Sequence, residues 1–160
     1  MSSIAVGVVM LLLLVGIQAG MRYLTVLRTK KAWEAAQEAL RDGNFAAAEL
    51  ALARCVKLMP LWMQPRFLLG AVLAKLGKLT EAEDALKMAM ALQPREPNGH
   101  IELGIFYVTA ADRIDDGVAA FRAALQHDAA AWKRLESEPR LEDFRRTDAF
   151  TALRPQVEAG

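Results

Sequence analysis

The side chains in this 160-residue chain best suited to chemistry are few: one cysteine, Cys55, and two histidines, His100 and His127. A metal site needs three or four ligands at short, regular spacing. Neither histidine has a cysteine or histidine partner at such a spacing. A single cysteine excludes an intramolecular disulfide framework. Cys55 lies on an apolar helical face, where a cysteine behaves as a small, inert hydrophobe. The carboxylates Glu81, Glu83, Asp84, Asp115 and Asp116 cluster at expected helix starts, where negative charge favours the helix dipole. No phosphate-binding GxxxxGK[ST], dinucleotide GxGxxG, zinc-protease HExxH or nucleophile GxSxG occurs. No catalytic centre, metal, cofactor or small-molecule substrate is expected. What remains is binding.

The composition narrows what could be bound. Lys and Arg number 20 against 19 Asp and Glu, a formal charge of +1. Nothing in that balance suits a nucleic-acid backbone. The 54% hydrophobic content is high for a domain in water and points to a membrane segment. Ile4 to Met21, IAVGVVMLLLLVGIQAGM, is eighteen residues whose only polar member is Gln18. As a helix it would span about 27 Å, near the hydrocarbon thickness of a bilayer. A cleaved signal peptide wants a basic start and a small-x-small cleavage site. Here no basic side chain precedes the stretch, and Ile17 is large. A soluble core helix would show a polar face. A retained single-pass transmembrane helix is the expectation, with residues 1–28 comprising the span and its basic flank.

Arg22, Arg28, Lys30 and Lys31 follow the span, so the positive-inside rule places the bulk of the chain on the cytoplasmic side. The same four side chains suit anionic headgroups. Gly16 and Gly20, with Gln18 between them, make a small face on which another membrane helix could pack. The lipid bilayer and an integral membrane protein are the partners this segment implies. Alanine- and arginine-rich composition suggests a bacterial inner membrane.

Beyond the span the chain repeats itself. Leu40–Pro60 aligns with Ala74–Pro94: Gly43 with Gly77, Phe45 with Leu79, Ala48 with Ala82, Leu52 with Leu86, Cys55 with Ala89, and Pro60 with Pro94, each pair 34 residues apart. Leu69-Gly70 returns as Leu103-Gly104. Gly117, Phe121 and Ala124 continue the pattern after one extra residue in the turn. A 34-residue helix–turn–helix period with this small–large–small spacing resembles the tetratricopeptide repeat family. The resemblance covers about residues 29–129, as units 29–62, 63–96 and 97–129. It departs from the family pattern where Ala32, Arg66 and His100 replace the usual tryptophan. Ala35-Ala36 also stands for Leu-Gly, and Ala129 for the closing proline.

The fold class expected is therefore all-α: an N-terminal transmembrane helix, then an α-solenoid of three helix pairs and a C-terminal helical cap over residues 130–154. Residues 155–160 read as a flexible tail. Stacked helices must approach closely. Ala48, Ala82 and Gly117, with Cys55, Ala89 and Ala124, would be the points of approach, and Leu52, Leu86 and Phe121 would fill the spaces between. Gly43 and Gly77 fit tight turns, Thr80 with Glu83 reads as a capping box, and Pro60 and Pro94 would stop the second helices.

The resemblance also implies a groove lined by the first helices. Its rows fall on Trp33, Phe67 and Ile101, on Gln37, Ala71 and Ile105, and on Leu40, Ala74 and Val108, with Lys30, Gln64 and Asn98 at its edge. Some family members clamp a partner's terminal carboxylate there with Lys, Asn and Arg. Here Trp33, Phe67 and Glu102 stand in those places, which disfavours that use. An apolar groove suits an amphipathic helix. The tail itself is one candidate, with Trp132, Leu135, Leu141, Phe144, Phe150 and Leu153 at helical spacing. It could shield the last repeat, as solenoids require, lie in the groove, or face another protein. Arg22 to Gln37 holds no Pro or Gly, so span and first repeat could be one stiff helix. The function implied is noncatalytic protein–protein interaction, as an accessory or scaffold subunit of a membrane complex. The alternative is a transient adaptor or assembly factor recruiting clients through the groove.

Overall fold

The computed structural model describes residues 3–154 and is all-helical, with no strand among them. The expected flexible tail, 155–160, lies outside the described residues, as do Met1 and Ser2. Helix α1 runs without a break over Ser3–Arg41, 39 residues, about 58 Å at 1.5 Å per residue. Six helices then follow: α2 Phe45–Leu58, α3 Met63–Lys75, α4 Leu79–Leu92, α5 Pro97–Thr109, α6 Ile114–His127 and the short α7 Ala131–Ser137. Two 3₁₀ turns, Pro139–Leu141 and Phe144–Arg146, lead to a last turn of helix, α8, Asp148–Thr151. The C-terminal half of α1 pairs with α2, α3 with α4 and α5 with α6, and the hairpins stack in chain order.

Three small cores hold the stack together. Ala36, Ala39, Ala48, Leu52 and Val72 join the first hairpin to α3. Leu73, Ala82, Ala85, Leu86, Leu103, Phe106 and Tyr107 join the second to the third. The expected approach points are closed: Ala48, Cys55, Ala82, Ala89 and Ala124 are each 0% exposed, and Gly117 is buried. A Cβ on Gly104 would stand 2.5 Å from the Phe121 ring, and one on Gly70 would stand 2.6 Å from the Leu86 side chain. These glycines are the counterparts that let the two large side chains seat between helices. Burial of apolar area here contributes roughly 25 cal/mol per Å², which supplies the helix-forming energy that 13- and 14-residue segments lack alone.

The turns follow the repeat. Gly43 and Gly77 sit at φ +67° and +76°, and the third turn reaches the same region through Asp112 at φ 52°. Asp tolerates that conformation better than most residues with a Cβ. Asn44 caps α2 by accepting the Ala47 N–H at 3.1 Å. The capping box expected at Thr80 and Glu83 is not formed. Helix α4 begins at Leu79 with Lys78 as its cap residue, so Thr80 already lies within the first turn. Glu83 is thereby free to turn towards its neighbours instead.

The tail folds over the end of the stack. Leu135, Leu141, Phe144, Phe150 and Leu153 are buried with Ile101, Ile105, Val118, Phe121 and Ala124 in one cluster. Phe144 meets Phe121 and Phe150 at 5.7 Å between ring centroids, and Trp132 stacks on Phe150 at 5.0 Å. The tail thus takes the place of a fourth hairpin.

Candidate partner-binding surfaces

The groove expected along the first helices is present only in its central part. Phe67, Ala71 and Ala74 of α3 line it, with Ala71 exposed and Phe67 and Ala74 half-buried. On α1, Gln37 is exposed and Leu40 half-buried. Trp33 does not project freely as a rung. Its ring packs on Trp62 at 4.8 Å between centroids. The third row departs from expectation. Ile101 and Ile105 are 1% and 3% exposed beneath the tail, and Val108 packs against the same cluster. Ile101 and Ile105 are core positions, and Val108 is half-buried beside them. The reason is geometric: the last repeat has no following hairpin, so its outward face takes the cap.

Polar groups rim the open part. Glu102 accepts from Arg134 Nη2 at 2.6 Å and from Arg140 Nη1 at 2.9 Å, while Arg134 also bonds Asn98. Arg140 reaches Glu138 through Nε at 2.7 Å. The hydrogen bond from Arg140 holds the Glu138 carboxyl below its ordinary range. Bonds to Glu138, then to Glu102, hold the Arg140 guanidinium more firmly protonated than usual. Arg134 and Arg140 were not among the sequence candidates. Basic residues in WKRLESEPRL, opposite the one carboxylate on the expected groove face, were the available signal.

A second polar knot ties α4 to α5 and α6. Glu83 accepts from the Tyr107 hydroxyl at 2.7 Å, from Lys87 at 2.7 Å and from Arg113 at 2.9 Å. Hydrogen bonds from Lys87, then Tyr107, push the Glu83 carboxyl below its usual range. The guanidinium of Arg113 also lies 4.5 Å from the centre of the Tyr107 ring. Cys55 is fully buried with its Sγ 4.0 Å from the Thr29 carbonyl, and burial raises its thiol pKa. Among the described residues no three His, Cys, Asp or Glu side chains converge as metal ligands. His100 and His127 face each other at 5.2 Å, and the His100 Nε2 lies 2.9 Å from the Pro94 carbonyl.

The N-terminal half of α1 makes a surface of another kind. Leu11, Leu12, Leu13 and Ile17 are all about 60% exposed, and none of the apolar window of this helix is covered. Cβ atoms built on Gly16 or Gly20 would meet nothing within 4 Å among the described residues, so the small face around Gln18 is open. Arg22, Arg28, Lys30 and Lys31 are exposed on the same helix where it turns into the first repeat.

The sequence matches no family model and no curated protein. Solved structures do resemble it. The TPR2B domain of yeast Sti1, in complex with pHsp70, superposes with a TM-score of 0.61 at 18% identity, over 69% of this chain and 91% of that one. The fold is of the tetratricopeptide type. An O-GlcNAc transferase mutant of Thermobaculum terrenum superposes with a TM-score of 0.57 at 28% identity, over 66% of this chain. A MamA structure gives 0.56 at 26% identity over 69% of this chain. The chain spans 20% of the transferase and 60% of that MamA chain.

Proposed function

We propose that this protein is a noncatalytic, membrane-anchored interaction scaffold, held in the bilayer by the first half of α1 and presenting its solenoid on the cytoplasmic side. One observation carries the reading. From Met10 to Met21 the apolar half of α1 is uncovered, yet the same unbroken helix places Ala36 and Ala39 in the first repeat core. An exposed apolar surface of this length in water would associate with itself or with lipid. The four basic residues after the span favour the cytoplasmic orientation.

The solenoid is the interaction module. The Sti1 domain is in complex with pHsp70, and another neighbour is a CopN–Scc3 complex. Here the open groove between α3 and α5, centred on Ala71, suits an apolar segment of a partner protein. Glu102 with its two arginines does not suit a terminal carboxylate. The membrane face of Gly16, Gln18 and Gly20 suits an integral membrane partner, as in an accessory subunit of a larger complex.

Two variants separate the surfaces. Gly16→Leu with Gly20→Leu should release a membrane partner while leaving the solenoid folded. Ala71→Arg should fill the groove without touching the core and release a groove-bound client. Affinity purification from mild-detergent extracts reads both. Retention of every associated protein in both variants would overturn the placement of the two surfaces.

A further inference from the structure

We propose that the loop joining α2 to α3, centred on Leu61 and Trp62, is a second membrane contact that sits in the lipid interface beside α1. The proposal rests on α1 crossing the bilayer. Helix α2 runs antiparallel to α1, back towards the span, and Cys55 already stands beside Thr29. The following loop therefore returns to the level of the last apolar turns of α1. Met21, Thr25 and Val26 of α1 share one apolar notch with Leu58, Leu61 and Trp62. Leu61 is 81% exposed and Met59 41%.

The loop is held, not loose. The Trp62 N–H donates to the Met59 carbonyl at 3.1 Å. The Arg66 guanidinium donates to the Pro60 carbonyl from Nε at 3.2 Å and Nη2 at 3.0 Å. With Trp62 packed on Trp33, the loop presents Leu61 outward in a fixed position.

The next repeat is an internal control. Thirty-four residues on, the same loop holds Gln93, Arg95 and Glu96 where this one holds Met59, Leu61 and Trp62. Its proline carbonyl is contacted in the same way, by His100 on Pro94. The turn therefore does not need apolar side chains in order to fold. They occur in the one copy that lies against the membrane-proximal part of α1. Leu, Met and Trp flanked by Arg22, Lys57 and Arg66 match the chemistry of a bilayer interface, with rings and chains in the acyl boundary and cations at the phosphates. A two-point contact would fix the tilt of the solenoid on the membrane, which a single helix leaves free to rotate.

The test uses the full chain, alone, in vesicles of phosphatidylethanolamine and phosphatidylglycerol. Cys55→Ala follows the alanine of the next repeat, and nitroxide labels are placed singly at Leu61→Cys, Arg95→Cys and Leu13→Cys. Collision with oxygen and with a water-soluble nickel chelate is read by spin-label saturation. The expected result is a Leu61 label protected from nickel severalfold relative to the Arg95 label, and a Leu13 label protected most. A Leu61 label as open to nickel as Arg95, with Leu13 still protected, would overturn the anchor while the span stands, and would leave the loop to a protein partner. A Leu13 label open to nickel would overturn the span and the anchor together.

Discussion

Tyr107 shows how single side chains fix the stack. Its ring is buried between α4 and α5, and its hydroxyl donates to Glu83 at 2.7 Å. Tyr107→Phe should lose about 1.5–3 kcal/mol, since a hydrogen bond to a charged group is worth about that much and the ring packing remains. Urea denaturation of detergent-solubilised protein measures it. Glu83 is held below its ordinary pKa by Lys87 and Tyr107. Its contribution is therefore full above the unfolded carboxyl value, about 4.3, and is lost as pH falls through the lower folded value. Glu83→Gln should flatten the acid limb of the denaturation midpoint, leaving the residual slope to Glu138, which is lowered in the same direction. Gly104→Ala belongs at this scale too. Its new methyl would stand 2.5 Å from the Phe121 ring inside a full core, and overpacking of that kind costs about 1–3 kcal/mol.

At the scale of elements, the tail stands in for a missing hairpin. Phe144 is 6% exposed and touches both Phe121 and Phe150. Phe144→Ala should cost about 3–5 kcal/mol and make amide exchange in α5 and α6 faster than in α1 and α2. Helices and turns were legible in the sequence because the 34-residue register repeats the glycines, small residues and prolines that make them. Gly43 and Gly77 lie at positive φ where the register requires it. Thr80 misled because a capping motif depends on where a helix starts, and Lys78 as the cap residue sets that start two residues too early for it. The groove was only partly legible. Ile101 and Ile105 are covered by residues 30 and more positions downstream, and a pattern local to the repeat says nothing of them. Arg134 and Arg140 escaped notice for the same reason, since their partner Glu102 is remote in sequence.

At the scale of the whole molecule, a 39-residue helix joins two environments. One half of α1 is exposed and apolar, and the other packs Ala32, Ala36 and Ala39 into the first repeat at 8% exposure or less. The solenoid would therefore not swing on a tether but follow the tilt of α1. Limited trypsin digestion in mild detergent should cut slowly at Arg22 and Arg28, because a continuous helix must unwind before cleavage. Rapid cutting there, with the solenoid intact, would show a flexible joint instead.

The measurement that bears most directly on the membrane-scaffold reading is the native mass of the protein extracted from carbonate-washed membranes in mild detergent, with whatever stays attached. The expected result is a chain retaining residues 4–21, bound at fixed stoichiometry to an integral membrane protein. A chain cut after those residues and recovered free in the soluble fraction would contradict the account.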